Sequence, residues 1–207
     1  IVYPVSDIFL VLWPEMLAKY GEKAQYWSGL FKVEVDNFKK PVKNKVEDMI
    51  FVMVGMHYQG FERLAKKMDE IASKKRERIL IQLGDTEYKP KYAEYFNFKD
   101  YEEIKELISK ARLVVCHGAM SVIDSLILGK SVIIVPRLKK ENEVISDHQL
   151  IFAKKIEEIG LAKVVQDIDD LENAILNFKI SSVKKFIVNQ DLIIKLRKFV
   201  EAYKVSL

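Results

Sequence analysis

The chain has 207 residues, of which 49% are hydrophobic and 31% charged, and its formal net charge is +4. This is the composition of a globular protein with one full domain and part of another, and so small a positive charge argues against nucleic-acid binding. The single cysteine, Cys116, excludes an internal disulfide, and no apolar run approaches the roughly 18 residues that a membrane span needs.

The first part of the chain predicts a small unit of its own. Residues 8–13 form an apolar run typical of a buried strand. Pro14 then opens a short helix over residues 15–20, because proline is favoured at the first helical position. Residues 24–27 predict a second strand.

A polar, lysine-rich stretch over residues 32–47 predicts a linker. The chain also begins within an apolar stretch, so we expect it to be a fragment of a longer protein. The predicted division is a first segment with its linker over residues 1–40 and a ligand-binding domain over residues 41–207.

Beyond the linker, apolar runs alternate with segments of helical spacing. The runs predict strands over residues 49–54, 78–83, 95–98, 113–116, 131–135 and 162–165. The helical segments cover residues 61–73, 101–110, 119–128, 146–159, 169–177 and 189–203. Strands that end in glycine and are followed by helices indicate an α/β fold with a doubly wound, Rossmann-like parallel sheet. The strands are apolar throughout, as expected where helices cover both faces of the sheet.

Ligands of such a sheet bind at the carboxyl ends of its strands. The strongest candidate site is the segment from Gly118 to Ser121, where a strand end is followed by small residues and a helix. Free amides and the helix dipole favour a phosphate there, and Asp124, one turn along, offers a carboxylate to ribose hydroxyls. The spacing lacks the full dinucleotide fingerprint and the phosphate-loop lysine, which argues against an NAD or ATP site.

Other chemistry is less supported by the residues. His57, His117 and His148 stand on three separate elements without paired cysteines, so no metal site is predicted. Each glycine at a strand end is also explained as an ordinary turn residue, and each histidine as a loop or core residue. The residues alone leave both interpretations open.

Several motifs resemble one enzyme family. Residues 49–64 resemble the opening of the catalytic subunit of the dolichol-pathway UDP-N-acetylglucosamine transferase, a GT-B glycosyltransferase with a family 28 C-terminal domain. Residues 10–15 resemble the carboxyl end of its membrane-anchor partner subunit, which implies a fusion. Further motifs similar to the family's second signature and donor-binding core are Gln82-x-Gly84, Tyr88-Lys89-Pro90, Gly118–Asp124, Leu128-Gly129-Lys130, Val135-Pro136-Arg137 and Asp147-His148-Gln149.

The resemblance implies a donor site for a UDP-sugar. Its residues would be Gly55 and His57 on the diphosphate side, Gly118, Ala119 and Ser121 at the phosphates, Asp124 at the ribose, Arg137 at the leaving diphosphate, and Asp147 and Gln149 at the sugar. Transfer would be inverting, with no metal and no cofactor. No residue is assigned as general base, although His57 is kept as a candidate.

The resemblance also implies partners and a location. The acceptor would be a lipid-linked pyrophosphoryl compound, and the remainder of the acceptor and anchor domain would lie in the same parent chain. The enzyme would be cytoplasmic and peripheral on the cytoplasmic face of a membrane. N-acetylglucosamine is the default sugar, with glucose, galactose and glucuronate as alternatives.

Two other functions are compatible with the sequence. A non-catalytic nucleotide-sugar-binding or scaffold module fits two departures from the family pattern: Met56 stands where relatives have threonine, and the loop at His117 is one residue shorter. A UDP-sugar epimerase-like protein would share the fold. The last helix, over residues 189–203, either caps the sheet or crosses to contact the segment before Lys32.

Overall fold

The computed structural model describes residues 8–11, 13–27, 31–35, 48–56, 58–74, 77–144, 148–178 and 184–205. Its strands are β1 Phe9–Leu10, β2 Ala24–Gln25, β3 Phe31–Val35, β4 Met49–Met53, β5 Arg78–Gln82, β6 Glu94–Phe96, β7 Leu113–Cys116, β8 Ser131–Ile134, β9 Lys163–Val164 and β10 Lys184–Val188. Its α-helices are α1 Leu17–Tyr20, α2 Glu62–Lys74, α3 Tyr101–Lys110, α4 Met120–Ile127, α5 His148–Glu158, α6 Leu171–Leu176 and α7 Gln190–Val205. Contacts divide the chain into two compact units, Val35–Lys184 and a unit made of Ile1–Glu34 with Lys185–Leu207.

The larger unit is built on a six-stranded sheet in the order β6-β5-β4-β7-β8-β9. All of its strand pairs are parallel. With β4 counted as the first strand, this is the 3-2-1-4-5-6 order of doubly wound dinucleotide-binding folds, which reverses between β4 and β7. The predicted fold class is therefore confirmed.

The sheet forms because its central strands are apolar on both faces and helices cover them. Every residue of β4 and β7 is buried. On α2, the four residues Leu64, Ala65, Met68 and Ile71 follow helical spacing and are fully buried against the sheet. The six predicted strands are all present, and the helices differ from their predicted bounds only at their ends, as is usual for frayed termini.

The smaller unit differs more from its prediction. The first strand is confined to β1, which pairs in parallel with β2. The predicted helix begins as a 3-10 turn over Pro14–Met16 before α1. The predicted linker is wrong at its start, because β3 lies there and pairs with β10, a strand that the sequence did not predict. This pairing joins segments some 150 residues apart, which local patterns do not reveal.

The last helix, α7, belongs to the same unit as the first segment of the chain. The rings of Trp27 and Phe199 meet edge to face, with centroids 5.6 Å apart. This is the contact expected if the last helix crosses to the segment before Lys32. The contacts thus group α7 with the first segment, whereas the predicted division placed the last helix in the ligand-binding domain over residues 41–207. No helix in the described part of the chain has the length and apolar character needed to cross a membrane.

Candidate functional site

Three strand ends come into contact where the sheet order reverses. Gly55, after β4, has φ +89°, and a Cβ there would stand 2.5 Å from Cε1 of His117, after β7. Gly84, after β5, approaches so closely that its Cβ would stand 2.4 Å from the carbonyl oxygen of Gly55. Both positions favour glycine because φ is positive at each, and a Cβ would meet the imidazole ring at Gly55 and the backbone at Gly84. The result is a crevice floor made of backbone and one imidazole, at the place where such folds bind nucleotides.

The amino end of α4 supplies donors to this crevice. Ala119, its N-cap residue, has φ 55° and ψ −139°, a conformation rare for a residue with a Cβ, and makes no side-chain capping bond. Within the described residues, the amides of Met120 and Ser121 have no hydrogen-bond acceptor. Two free amides at a helix amino end form a site for an anion such as a phosphate.

The side chain of Ser121 has a different role from the one predicted. Its hydroxyl donates to the carbonyl oxygen of Gly118 at 2.6 Å, which closes the turn that leads into α4. The proton of this hydroxyl is therefore committed within the turn. The amide of Ser121, not its hydroxyl, is the donor left for a phosphate.

Asp124 lies one turn along α4 and has a partner from another helix. The hydroxyl of Tyr101, the first residue of α3, donates to Oδ1 of Asp124 at 3.1 Å. No pattern in the sequence predicts this pair, because it depends on how α3 packs against α4. The second carboxylate oxygen, Oδ2, remains as an acceptor for a ligand.

Arg137, after β8, lies in the interior and not on the crevice surface. Its side chain is fully buried, its Nη2 donates to the carbonyl oxygen of Val54 at 2.9 Å, and its Cζ lies 5.1 Å from the ring centre of Phe61. Among the residues that the structure describes, its Nε and Nη1 have no hydrogen-bond partner. Burial lowers the pKa of this guanidinium below its usual range, and the charge of Glu143 partly opposes that shift.

A second arginine braces the same loop. Arg63 donates from Nε and Nη2 to the two carboxylate oxygens of Glu143, each at 2.9 Å, and from Nη2 to the carbonyl oxygen of Pro136 at 3.1 Å. Glu143 also accepts from the amide of Leu138 at 3.0 Å. The charge of Glu143 is thus paired with Arg63, and Arg137 keeps a buried charge with a single direct partner.

Gln149, on α5, closes the opposite side of the crevice. The Oε1 of Gln149 accepts from the amide of Arg137 at 3.4 Å. A Cβ added to Gly118 would lie 4.0 Å from the Cβ of Gln149. The structure thus brings Gly55, Gly118 and Gln149 to one edge of the sheet, with Ala119, Ser121 and Asp124 following along α4. His57 and Asp147, both predicted to contact the donor, lie outside the described residues.

Two features of the site were not predicted from the sequence. The contact of His117 with Gly55 could have been found from the parallel order of their strands. The hydrogen bond of Tyr101 to Asp124 corresponds to no sequence pattern. Over the described ranges, no three His, Cys, Asp or Glu side chains are grouped so as to hold a metal ion.

The chain matches one protein family in sequence and several solved structures in fold. Residues 49–192 match the model of the glycosyltransferase family 28 C-terminal domain. The structure is similar to that of MurG from Acinetobacter baumannii, with TM-score 0.55 and 17% identity over 84% of this chain. It is similar to a glycosyltransferase of kitacinnamycin, with TM-score 0.53 and 17% identity over 83% of this chain. It is also similar to a UDP-GlcNAc 2-epimerase from Methanocaldococcus jannaschii, solved with UDP-GlcNAc and UDP, at TM-score 0.51, 14% identity and 75% coverage. No curated protein matches the sequence.

The chain spans about half the length of these solved structures, namely 52% of MurG and 46% of each of the other two. At such identities the structural likenesses concern the fold alone. Together with the family match, they show the parallel-sheet, Rossmann-like α/β fold of GT-B glycosyltransferase C-terminal domains.

Proposed function

The chain belongs to the glycosyltransferase family 28 C-terminal domain family, and on this premise we propose that it is the donor-binding half of an inverting glycosyltransferase. The donor is a UDP-sugar, with N-acetylglucosamine as the default sugar. The acceptor is a lipid-linked pyrophosphoryl compound, as in the dolichol-pathway transferase that the sequence resembles.

One observation carries the proposal: the crevice between the ends of β4 and β7 combines the groups that a nucleotide sugar needs. The free amides of Met120 and Ser121 face a diphosphate, and Asp124 has a carboxylate oxygen available for the ribose. Gln149 stands beside Gly118, where it reaches the sugar. Amides, an acidic acceptor and a polar side chain in one crevice match the diphosphate, the ribose and the sugar of a UDP-sugar.

The chemistry that follows is transfer by positioning. The bond between the anomeric carbon and the diphosphate breaks while the acceptor hydroxyl attacks from the opposite face, so charge develops on the departing UDP. Prearranged amides and a helix amino end stabilise that charge without reorganising during the reaction. The buried charge of Arg137 acts on the same charge from beneath Val54 and Gly55. We therefore propose that no metal and no cofactor takes part.

The rest of the enzyme completes the reaction. A domain beyond this half, in the same parent chain, holds the lipid acceptor and supplies the base that takes the proton of its hydroxyl. Because the acceptor is a lipid, the enzyme works as a peripheral protein on the cytoplasmic face of a membrane.

The test is a transfer assay with the full-length parent protein, UDP-N-acetylglucosamine and a pyrophosphoryl-lipid acceptor, in buffer containing EDTA. The proposal requires radiolabelled sugar on the lipid and release of UDP. Binding without product would favour a non-catalytic module, and an epimerised free nucleotide sugar would favour an epimerase. Gln149→Ala should lower transfer while UDP affinity holds, and Gln166→Ala, which changes an exposed glutamine after β9, should leave transfer unchanged.

A further inference from the structure

A tyrosine outside the family motifs contacts the carboxylate proposed to hold the ribose. The hydroxyl of Tyr101 donates to Oδ1 of Asp124 at 3.1 Å, between the first turn of α3 and the middle of α4. The ring of Tyr101 is 57% exposed, so packing in the core does not explain its position.

Local interactions fix the place of this ring. Asp100 caps α3 through a reciprocal capping box: its side chain accepts from the amide of Glu103, and Glu103 accepts from the amide of Asp100. Nζ of Lys105 lies 4.9 Å from the centre of the Tyr101 ring, and it is held by an ion pair of 2.7 Å with Glu102. The start of α3 and the ring are both anchored before any ligand arrives.

A single hydrogen bond to one oxygen has a defined effect on an aspartate. A carboxylate offers about four lone-pair positions, so Tyr101 takes one at Oδ1 and leaves Oδ2 and a second position on Oδ1. The same bond restricts rotation of the Asp124 side chain, which lowers the entropy cost of aligning it with two vicinal hydroxyls.

We propose that Tyr101 is a positioning residue: by holding Asp124, it makes the ribose diol a determinant of donor affinity. The inference rests on the proposed function, because it needs the ribose at Asp124. It assigns to the nucleotide site a residue from α3, an element that brings none of the predicted contacts.

The hydroxyl is a dependable donor for this purpose. The hydrogen bond to Asp124 raises the pKa of the Tyr101 hydroxyl, because it favours the phenol form that donates to the carboxylate.

The test is calorimetric titration of the chain, and of its Tyr101→Phe and Asp124→Ala variants, with UDP and with 2′,3′-dideoxyuridine 5′-diphosphate. Tyr101→Phe keeps the ring and removes the donor, and should weaken UDP binding about three- to tenfold, the size of effect expected for loss of one typical hydrogen bond. Affinity for the dideoxy analogue should be unchanged, and Tyr101→Phe should have no further effect in the Asp124→Ala background, where no acceptor is left for the phenol. Tyr92→Phe, at a tyrosine 67% exposed after β5, is the matched control and should bind as wild type does.

The outcomes separate this inference from the function on which it rests. If wild type binds UDP and Tyr101→Phe binds it equally well, the inference is overturned and the proposed function stands. If Tyr101→Phe weakens UDP and the dideoxy analogue alike, Tyr101 only supports the fold, and the inference is again overturned. If wild type does not bind UDP at all, the proposed function fails and the inference fails with it.

Discussion

Arg137 and Val54 tie the end of β8 to the end of β4: Nη2 of the buried guanidinium donates to the Val54 carbonyl oxygen at 2.9 Å. The bond places a positive charge directly behind Gly55, the residue that forms the crevice floor. Nε and Nη1 of the same side chain have no partner, so the arrangement is costly for folding. A buried charge that destabilises the fold is expected beside a diphosphate site if it is retained for ligand binding and not for stability.

Replacing Arg137 by methionine tests this trade. The variant removes a half-satisfied buried charge, a change that is often neutral or stabilising, so we expect a free energy of unfolding equal to or above that of wild type. UDP affinity should fall severalfold because the charge behind the crevice is lost. Urea unfolding and calorimetry measure the two quantities.

Arg63→Met is the matched control, since Arg63 lies beside the same Phe61 ring. It leaves the carboxylate of Glu143 partly buried without its bidentate partner, and should lower the free energy of unfolding by about 3–5 kcal/mol. A loss of that size in Arg137→Met as well would show that Arg137 is held for stability.

Ala119→Gly is expected to stabilise the protein. The positive φ of Ala119 costs a residue with a Cβ about 1–2 kcal/mol, and glycine adopts it freely. A gain of about 1 kcal/mol in the free energy of unfolding, with UDP affinity retained, would identify the strain as the cost of presenting the α4 amides. A loss of stability would mean that the turn is not strained.

Two glycines with positive φ differ in what surrounds them, and their alanine variants should differ accordingly. At Gly84 a Cβ would meet the Gly55 carbonyl oxygen at 2.4 Å, whereas at Gly129, after α4, nothing lies within 4 Å. Gly129→Ala should cost only the conformational strain of about 1–2 kcal/mol. Gly84→Ala should cost more and also weaken UDP binding, because the crevice floor must shift. Equal losses of unfolding free energy in the two variants would contradict the close approach of the strand ends.

The sequence revealed the sheet far better than the site. The central strands β4, β7 and β8 are apolar runs, and α2 has one apolar face, so local pattern predicts them. For example, the five apolar residues Met49–Met53 predict that β4 is buried on both faces. The pairing of β3 with β10 could not be predicted, because the sequence of a short strand does not indicate which distant strand it pairs with.

Within the site, glycines and the amino end of α4 were predictable because chain order places them at the carboxyl edge. The interior position of Arg137 was not, since an arginine after a strand is normally expected at the surface. Two hydrogen bonds were also not predictable: that of the Ser121 hydroxyl to Gly118, and that of Tyr101 to Asp124. Both depend on side-chain rotamers and on helix packing, which produce no periodic pattern in the sequence.

Asp69 gives the stability of the larger unit a dependence on pH. Its carboxylate is nearly buried and accepts from the Tyr88 hydroxyl at 2.7 Å and from the amides of Lys91, Tyr92 and Ala93 at 2.8–2.9 Å. Burial acts to raise its pKa, but these four bonds outweigh burial and the net pKa lies below 3.8. The same contact raises the pKa of Tyr88 to about 12.

A folded-state pKa below the unfolded value means that Asp69 stabilises the fold above the unfolded pKa, and that this contribution is lost as pH falls through the folded pKa. Asp69→Asn should therefore lower the free energy of unfolding at pH 7, on the order of 1–3 kcal/mol for lost bonds to a charged group. The difference from wild type should shrink as pH falls below about 4. A difference that stays constant from pH 7 to pH 3 would assign the loss to packing and not to charge.

The donor crevice is tested most directly by calorimetric titration of UDP into wild type and Asp124→Ala. The prediction is that wild type binds UDP and that Asp124→Ala binds it more weakly by about 1–3 kcal/mol, the value of hydrogen bonds to a charged group. Gln149→Ala, which changes the sugar side, should bind free UDP as wild type does. If Asp124→Ala binds UDP as tightly as wild type, the ribose does not lie at α4, and the assignment of this crevice to a UDP-sugar is contradicted.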